Sequence, residues 1–202
     1  MYINTFHYTR EDVDCKYCTE YRTGEGCTAN GCPWLAERIE AGAVGYQEAV
    51  MKTFPHNRRL NPRLRKAVRY FPGSLYLTAA HRKRMEDLKA RLGYRRKRDT
   101  SAYFAVMYLL TANEDIADRT SDCFCKNGIM LHYAVTKDIT PHNYALLGAA
   151  KDIYTDSSGI ILGDLASSEI VDNLAFGLIV NALLIARYGC AVLKIEEKEA
   201  PH

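Results

Sequence analysis

The segment from Ile170 to Leu184 leaves this chain few architectures. Ile170, Leu174 and Leu178 recur at every fourth position, as do Val171, Ala175 and Ile179, while Phe176, Val180 and Leu184 cover a further side. A helix apolar on so many sides belongs in the middle of a core or in an interface. The pattern predicts a helix that starts near Ser167 or Ser168, carries Glu169 in its first turn and is closed by Gly189 after Tyr188. The longest apolar run, Leu174 to Ala186, is broken by Gly177 and Asn181 and falls short of a bilayer span, so no membrane partner is expected. Asn173, Gly177 and Asn181 form one narrow i, i+4, i+8 line. A second backbone could approach there, so a homodimer is one reading of that line and internal packing the other.

Asp99 to Ala112 is a second helix of this kind, with Tyr103, Phe104, Val106, Met107, Leu109 and Leu110 on nearly every side. Other helices announce themselves by their caps and first turns: Pro33 before Trp34, Leu35 and Ile39; Gly45 before Tyr46 and Val50; Asn61-Pro62; Thr78; and Thr140-Pro141, running to about Tyr154. The fold class expected is mainly α, a single helical core around the buried C-terminal helix with a small N-terminal four-cysteine zinc-binding module. The expected division is a Cys-rich module over 1–55, a helical domain over 56–190 and an acidic, mobile tail over 191–202. The chain of 202 residues is long enough for one such core. Its opening residues, Met-Tyr-Ile-Asn-Thr-Phe-His, lack the basic start and apolar run of a secretion signal, so a cytoplasmic protein is expected, with its seven cysteines as thiols or metal ligands.

Charge is distributed unevenly. Residues 52–98 hold sixteen Lys or Arg against only Glu86 and Asp87, whereas residues 1–51 hold four basic and eight acidic groups and residues 99–202 seven and fourteen. The formal net charge of +3 therefore conceals a basic band between two acidic arms. Like charges at this density weaken a compact state unless a polyanion or an acidic surface meets them. The candidate nucleic-acid-binding residues are Arg58, Arg59, Arg63, Arg65, Lys66, Arg69, Arg82, Lys83, Arg95, Arg96, Lys97 and Arg98. Tyr70, Phe71, Tyr76 and Tyr94 lie among them and could stack on bases or serve the core. An acidic protein surface is the competing partner. No helix-turn-helix recognition helix stands out, which counts against a conventional DNA-binding regulator.

Cys15, Cys18, Cys27 and Cys32 follow a C-x2-C-x8-C-x4-C spacing punctuated by Gly24, Gly26 and Gly31. Four soft thiolates in so short a segment can close a tetrahedral shell, so structural Zn2+ is the expected cofactor, with His7 a candidate substitute ligand. Reduced structural thiols, two disulfides or a redox pair at Cys15 and Cys18 are the alternatives. Cys123 and Cys125 are too close-set for a zinc knuckle, and with His132 and His142 they match no recognisable second metal site, so buried thiols are expected there. Glu114, Asp115 and Asp118 fall within one helical turn and could hold a divalent ion in a nuclease-like site, against the plainer reading of an acidic helix start. The chain has no Gly-rich phosphate loop, nucleophile elbow or paired-His motif, and no catalytic residue is assigned.

Leu77-Thr-Ala-Ala-His81, the buried helix ending in Leu110-Thr-Ala-Asn-Glu-Asp115, and Leu146-Leu-Gly-Ala-Ala-Lys-Asp-Ile-Tyr154 carry a resemblance. Over about residues 75–156 the chain resembles uncharacterised small Cys-rich proteins of plasmids and conjugative elements of gut Firmicutes, some of which look like anti-CRISPR inhibitors of Cas9-type nucleases. That resemblance implies a non-enzymatic partner of a CRISPR nuclease, its guide RNA or DNA, with a plasmid-borne DNA-binding regulator as the alternative. It supplies no catalytic residues.

Overall fold

The computed structural model describes residues 7–29, 31–55 and 57–196. In chain order these form β1 (Tyr21–Arg22), β2 (Gly26–Cys27), α1 (Leu35–Glu40), α2 (Tyr46–Thr53), α3 (Asn61–Arg69), α4 (Ala79–Leu92), α5 (Ser101–Leu110), α6 (Glu114–Arg119), β3 (Phe124–Cys125), β4 (Gly128–Ile129), α7 (Pro141–Thr155), α8 (Leu162–Ala166) and α9 (Asn173–Tyr188). The protein is mainly helical, and each strand pair is a short antiparallel hairpin.

The two helices that are apolar all round bury each other. α5 packs along α9, α7 packs on both, and a 3-10 turn over Gly189–Lys194 folds back against α5 and α1. Tyr103, Ala105, Val106, Met107, Tyr108, Leu109 and Leu110 are all buried on α5. Side-chain caps start most of the longer helices. Thr78, Thr100, Asn113 and Thr140 accept from the amides of His81, Tyr103, Ile116 and Asn143.

Four boundaries differ from the sequence reading; the first is α3, where Asn61, expected as the cap before Pro62, is itself the first helical residue and Leu60 takes the cap position without a side-chain bond. α9 starts at Asn173, not near Ser167, because the Asp172 carboxylate accepts from the Leu174 and Ala175 amides at 2.8 and 2.9 Å and becomes the cap itself. Glu169 accordingly lies in a turn before the helix. α1 and α2, placed by the sequence in the Cys-rich module, contribute Leu35, Ile39, Val44, Tyr46, Ala49 and Val50 to the same core as α5 and α9. The expected tail is ordered in its first part, where Val192 and Ile195 are buried; residues 197–202 lie outside the described residues. That ordered turn also lengthens the apolar segment. Asn173–Lys194, 22 residues containing an 18-residue stretch of mean hydropathy 1.8, is long and apolar enough by length and composition to cross a membrane, which corrects the shorter run expected. Half of that stretch is buried inside the protein.

The interior contains a polar hub. Tyr46 donates to Asn181 Oδ1 at 2.7 Å, and Asn181 Nδ2 donates to the Tyr108 hydroxyl at 3.1 Å and the Leu75 carbonyl at 3.3 Å. The Tyr108 hydroxyl donates to the same carbonyl. His81 lies beside it, fully buried, with Nδ1 accepting from the Leu77 amide at 3.2 Å and Nε2 facing the Tyr108 carbonyl at 2.9 Å. This pair of contacts fixes the neutral tautomer with its proton on Nε2. Burial lowers the His81 pKa to about 4, against the weaker upward pull of that carbonyl.

The sign of the resulting pH dependence follows from linkage. Above pH 6.5 His81 is neutral in both folded and unfolded chains and costs nothing. Between pH 6.5 and about 4 only the unfolded chain takes up the proton, so stability falls as the solution is acidified and levels off below that window. Urea unfolding should register a loss on the order of 3 kcal/mol across it. In His81→Phe, where no proton can be taken up, that slope should disappear; an unchanged slope would assign it to other groups.

Candidate nucleic-acid interface and cysteine cluster

The structure divides the twelve candidate cations into three groups. Arg63 and Arg98 turn inward. Arg63 lies on the buried side of α3, where its guanidinium donates to the carbonyls of Leu165 (2.7 Å), Ser167 (3.2 Å), Val171 (2.6 Å) and Asp172 (3.0 Å). It rests on the Phe176 ring at 4.2 Å. Burial holds its pKa below the usual arginine value. Arg98 pairs with Asp99 at 2.6 Å and donates to the carbonyls of Leu92 and Gly93 at the end of α4. Both residues are corrected from surface ligands to internal clamps. The physical reason is a set of backbone carbonyls, those of Leu165 and Val171 foremost, that a five-donor guanidinium can satisfy at once; Ser167 and Asp172 also accept from the Val171 and Phe176 amides.

The second group, Arg82 and Lys83, is exposed but partnered within α4. Arg82 pairs with Glu86 and Lys83 with Asp87, each at 2.8 Å and one helical turn apart. The third group comprises Arg58, Arg59, Arg65, Lys66 and Arg69, on α3 and the turn before it, and Arg95, Arg96 and Lys97, on the loop after α4. All eight are exposed, and among the described residues no carboxylate lies within 4 Å of their side-chain nitrogens, although Asp99 accepts from the Arg95 backbone amide. α3 contains no acid at all. Arg65 and Arg69 are like charges one turn apart, a pairing that costs a few tenths of a kcal/mol and is offset by the anchoring of Leu64 and Arg63.

The aromatics divide in the same way. Phe71 is buried and stacks on Tyr46 with centroids 3.8 Å apart and planes 12° from parallel. Tyr76 is half-buried, whereas Tyr70 and Tyr94 are 68% and 79% exposed. Between the end of α3, the 71–77 segment and the first turns of α9 lies an open groove of about 410 Å³. Lys66, Tyr70, Phe71, Tyr76, Leu174 and Gly177 are among its lining residues, and none of the lining residues is an acid. Sequence reasoning misses this groove, because its two walls are about a hundred residues apart.

The cysteine segment is built from turns. Cys15 opens a 3-10 turn that Asp14 caps by accepting from the Lys16 amide at 2.9 Å. Cys18 leads into the β1–β2 hairpin, whose register sets Tyr21 opposite Cys27. Gly24 and Gly26 hold φ of +90° and +83°, which a side chain would strain. Cys15, Cys18, Cys27 and Cys32 are all free thiols and line one cavity of about 160 Å³ together with Trp34 and Arg38. Burial pushes the Cys15 thiol up, and Arg38 opposes it. Arg38 Nη1 lies 3.8 Å from Cys32 Sγ and is itself held by Glu48. Among the described residues no three His, Cys, Asp or Glu side chains are gathered closely enough to hold a metal ion.

The remaining candidates separate. The His7 ring meets Glu40 at 3.1 Å. Cys123 is fully buried, its thiol pushed up to about 11 by burial, while His132 packs on Tyr133 and His142 is held by Asp172 at 2.7 Å. Of the acids at the start of α6, Asp115 is occupied by Arg119 at 2.7 Å and Asn143 at 2.6 Å, and Asn113 is the helix cap. This is the geometry of an acidic helix start.

No family model matches the chain, and comparison with curated proteins and with solved structures found no similar chain. The helical spacing Leu60, Arg63, Leu64, Ala67 (i, i+3, i+4, i+7) is the signal that could have placed Arg63 inward. Because one planar fork donates to four carbonyls, two of them without a backbone donor, Arg63→Lys should lower the unfolding free energy by about 2 kcal/mol in urea titration even though charge is kept. Arg65→Lys, on the outward face, should change it by less than about 0.5 kcal/mol.

Proposed function

We propose that this chain is a nucleic-acid-binding protein that works through the exposed cations of α3 and of the loop after α4. One observation carries the reading: eight exposed Lys and Arg side chains with no carboxylate within 4 Å among the described residues. Cations kept for solubility are normally interleaved with acids, as Arg82 and Lys83 are here. An acid-free helix face instead stores repulsion that a polyanion relieves, with release of its counterions. The resemblance over residues 75–156 narrows the polyanion to a nucleoprotein, a Cas9-type complex that presents heteroduplex, duplex and displaced strand together.

If about six phosphates are contacted, log affinity for duplex DNA should fall with log salt at a slope of about −5. The triple variant Arg58→Glu, Arg59→Glu, Arg65→Glu should abolish binding at an unchanged melting temperature, and unchanged binding would end the proposal. A guided-nuclease cleavage assay tests the narrower form. Inhibition at near-stoichiometric protein supports it, and uninhibited cutting by several Cas9 types leaves the DNA-binding regulator.

The same reading includes a structural Zn2+ held by Cys15, Cys18, Cys27 and Cys32. The donor types suit the ion, although no three of them are gathered into a shell: four soft thiols line one cavity, and the adjacent Arg38 would offset the charge that four thiolates would bring. The ion would supply the attraction that draws them into one shell and the folding energy that this apolar-poor segment lacks. Elemental analysis should find about one zinc per chain, lost in Cys18→Ser. Protein with no zinc and no change in melting temperature on chelation would exclude it.

A further inference from the structure

The groove between α3 and α9 is chemically unlike the rest of the basic surface. Its wall at the 71–77 segment is aromatic and rigid, since Phe71 is stacked on Tyr46 and Tyr46 is fixed by its hydrogen bond to Asn181. Its outer edge is Tyr70, largely exposed, with the Arg69 guanidinium 5.7 Å from the ring centroid. Its other wall is the first turns of α9, where Leu174 is half exposed and a Cβ built on Gly177 would meet no atom within 4 Å. The apolar surface there is open and unpartnered.

We infer that this groove takes an unpaired nucleobase, so that the nucleic acid is held as a single strand with its phosphates on the α3 cations. The inference rests on the nucleic-acid reading above and adds to it which form is bound and where. Three features select the occupant. The apolar, aromatic lining asks for a flat, poorly solvated group, and every base offers such a face. The absence of acids from the lining, with Lys66 in it and Arg69 beside Tyr70 at its edge, asks for that group to be attached to negative charge. The volume of about 410 Å³ is in the range of small-ligand sites, which suits one or two bases. A duplex keeps its base faces stacked and cannot use the groove without unpairing.

Gly177→Leu is the discriminating variant, because it fills the groove from a helical position that has free space. Fluorescence anisotropy with labelled oligothymidylate and oligoadenylate, and with their duplex, reads the outcome. Wild type should prefer the single strands, and Gly177→Leu and Tyr70→Ala should each weaken single-strand binding about tenfold or more. Duplex affinity and melting temperature should stay unchanged. If both variants bind single strands like wild type while the Arg58, Arg59, Arg65 triple variant does not, the groove inference fails and the phosphate reading stands. If neither single strand nor duplex binds at low salt, both fail. Two further results would reassign the groove: capture of an acidic amphipathic Leu/Glu peptide, lost in Gly177→Leu, with no oligonucleotide bound; or a dimer in sedimentation velocity that the same variant dissolves.

Discussion

One buried amide holds the centre of this protein together. Asn181 lies in the middle of an otherwise apolar helix, where an unsatisfied side chain would cost roughly 1–3 kcal/mol per lost partner. Instead it accepts from Tyr46 of α2 and donates to Tyr108 of α5 and to the Leu75 carbonyl. Three chain segments are therefore held in register against α9 by one residue. Hydrophobic contact between α5 and α9 is non-directional and would tolerate sliding; the hub does not. His81 extends it to α4 through the Tyr108 carbonyl, so a helix with only a thin apolar edge is oriented by a polar contact.

A second constraint explains why a chain this basic can fold. Several of its arginines act as internal caps. Arg63 satisfies carbonyls around the break between α8 and α9, Arg84 those of Thr111 and Ala112 at the end of α5, Arg98 those at the end of α4, and Arg119 those of Val135 and Lys137. Helix ends leave four carbonyls without partners, and a guanidinium satisfies two or more at once where a lysine presents a point charge. The cations left outside are those that no helix end requires.

That division marks how far the sequence can be read. The apolar periodicity of α5 and α9 and the caps at Thr78 and Thr140 are local properties, and local reasoning finds the buried helices and the mainly helical class. It misplaces the start of α9 by five or six residues, because that start depends on Asp172 and on Arg63, the latter more than a hundred positions away. Charge counting treats Arg63 and Arg58 alike, since composition carries no information about which face of a helix is turned inward. The groove is illegible for the same reason: Tyr70 and Gly177 share a lining only after α3 and α9 are packed.

The fold and the candidate interface meet in α3. Its inward face carries Leu64 and the carbonyl-bound Arg63, and its outward face carries Arg65, Lys66 and Arg69. The Arg63 clamp and the Tyr46–Asn181 bond fix both walls of the groove before any ligand arrives. A site built on packed helices loses little conformational entropy on binding, so more of the contact energy appears as affinity. Cations on a loop, such as Arg95, Arg96 and Lys97, attract charge without a shaped surface beside them. On α3, Lys66 stands in the lining of a groove with a rigid aromatic wall, and the single-strand proposal rests on that juxtaposition.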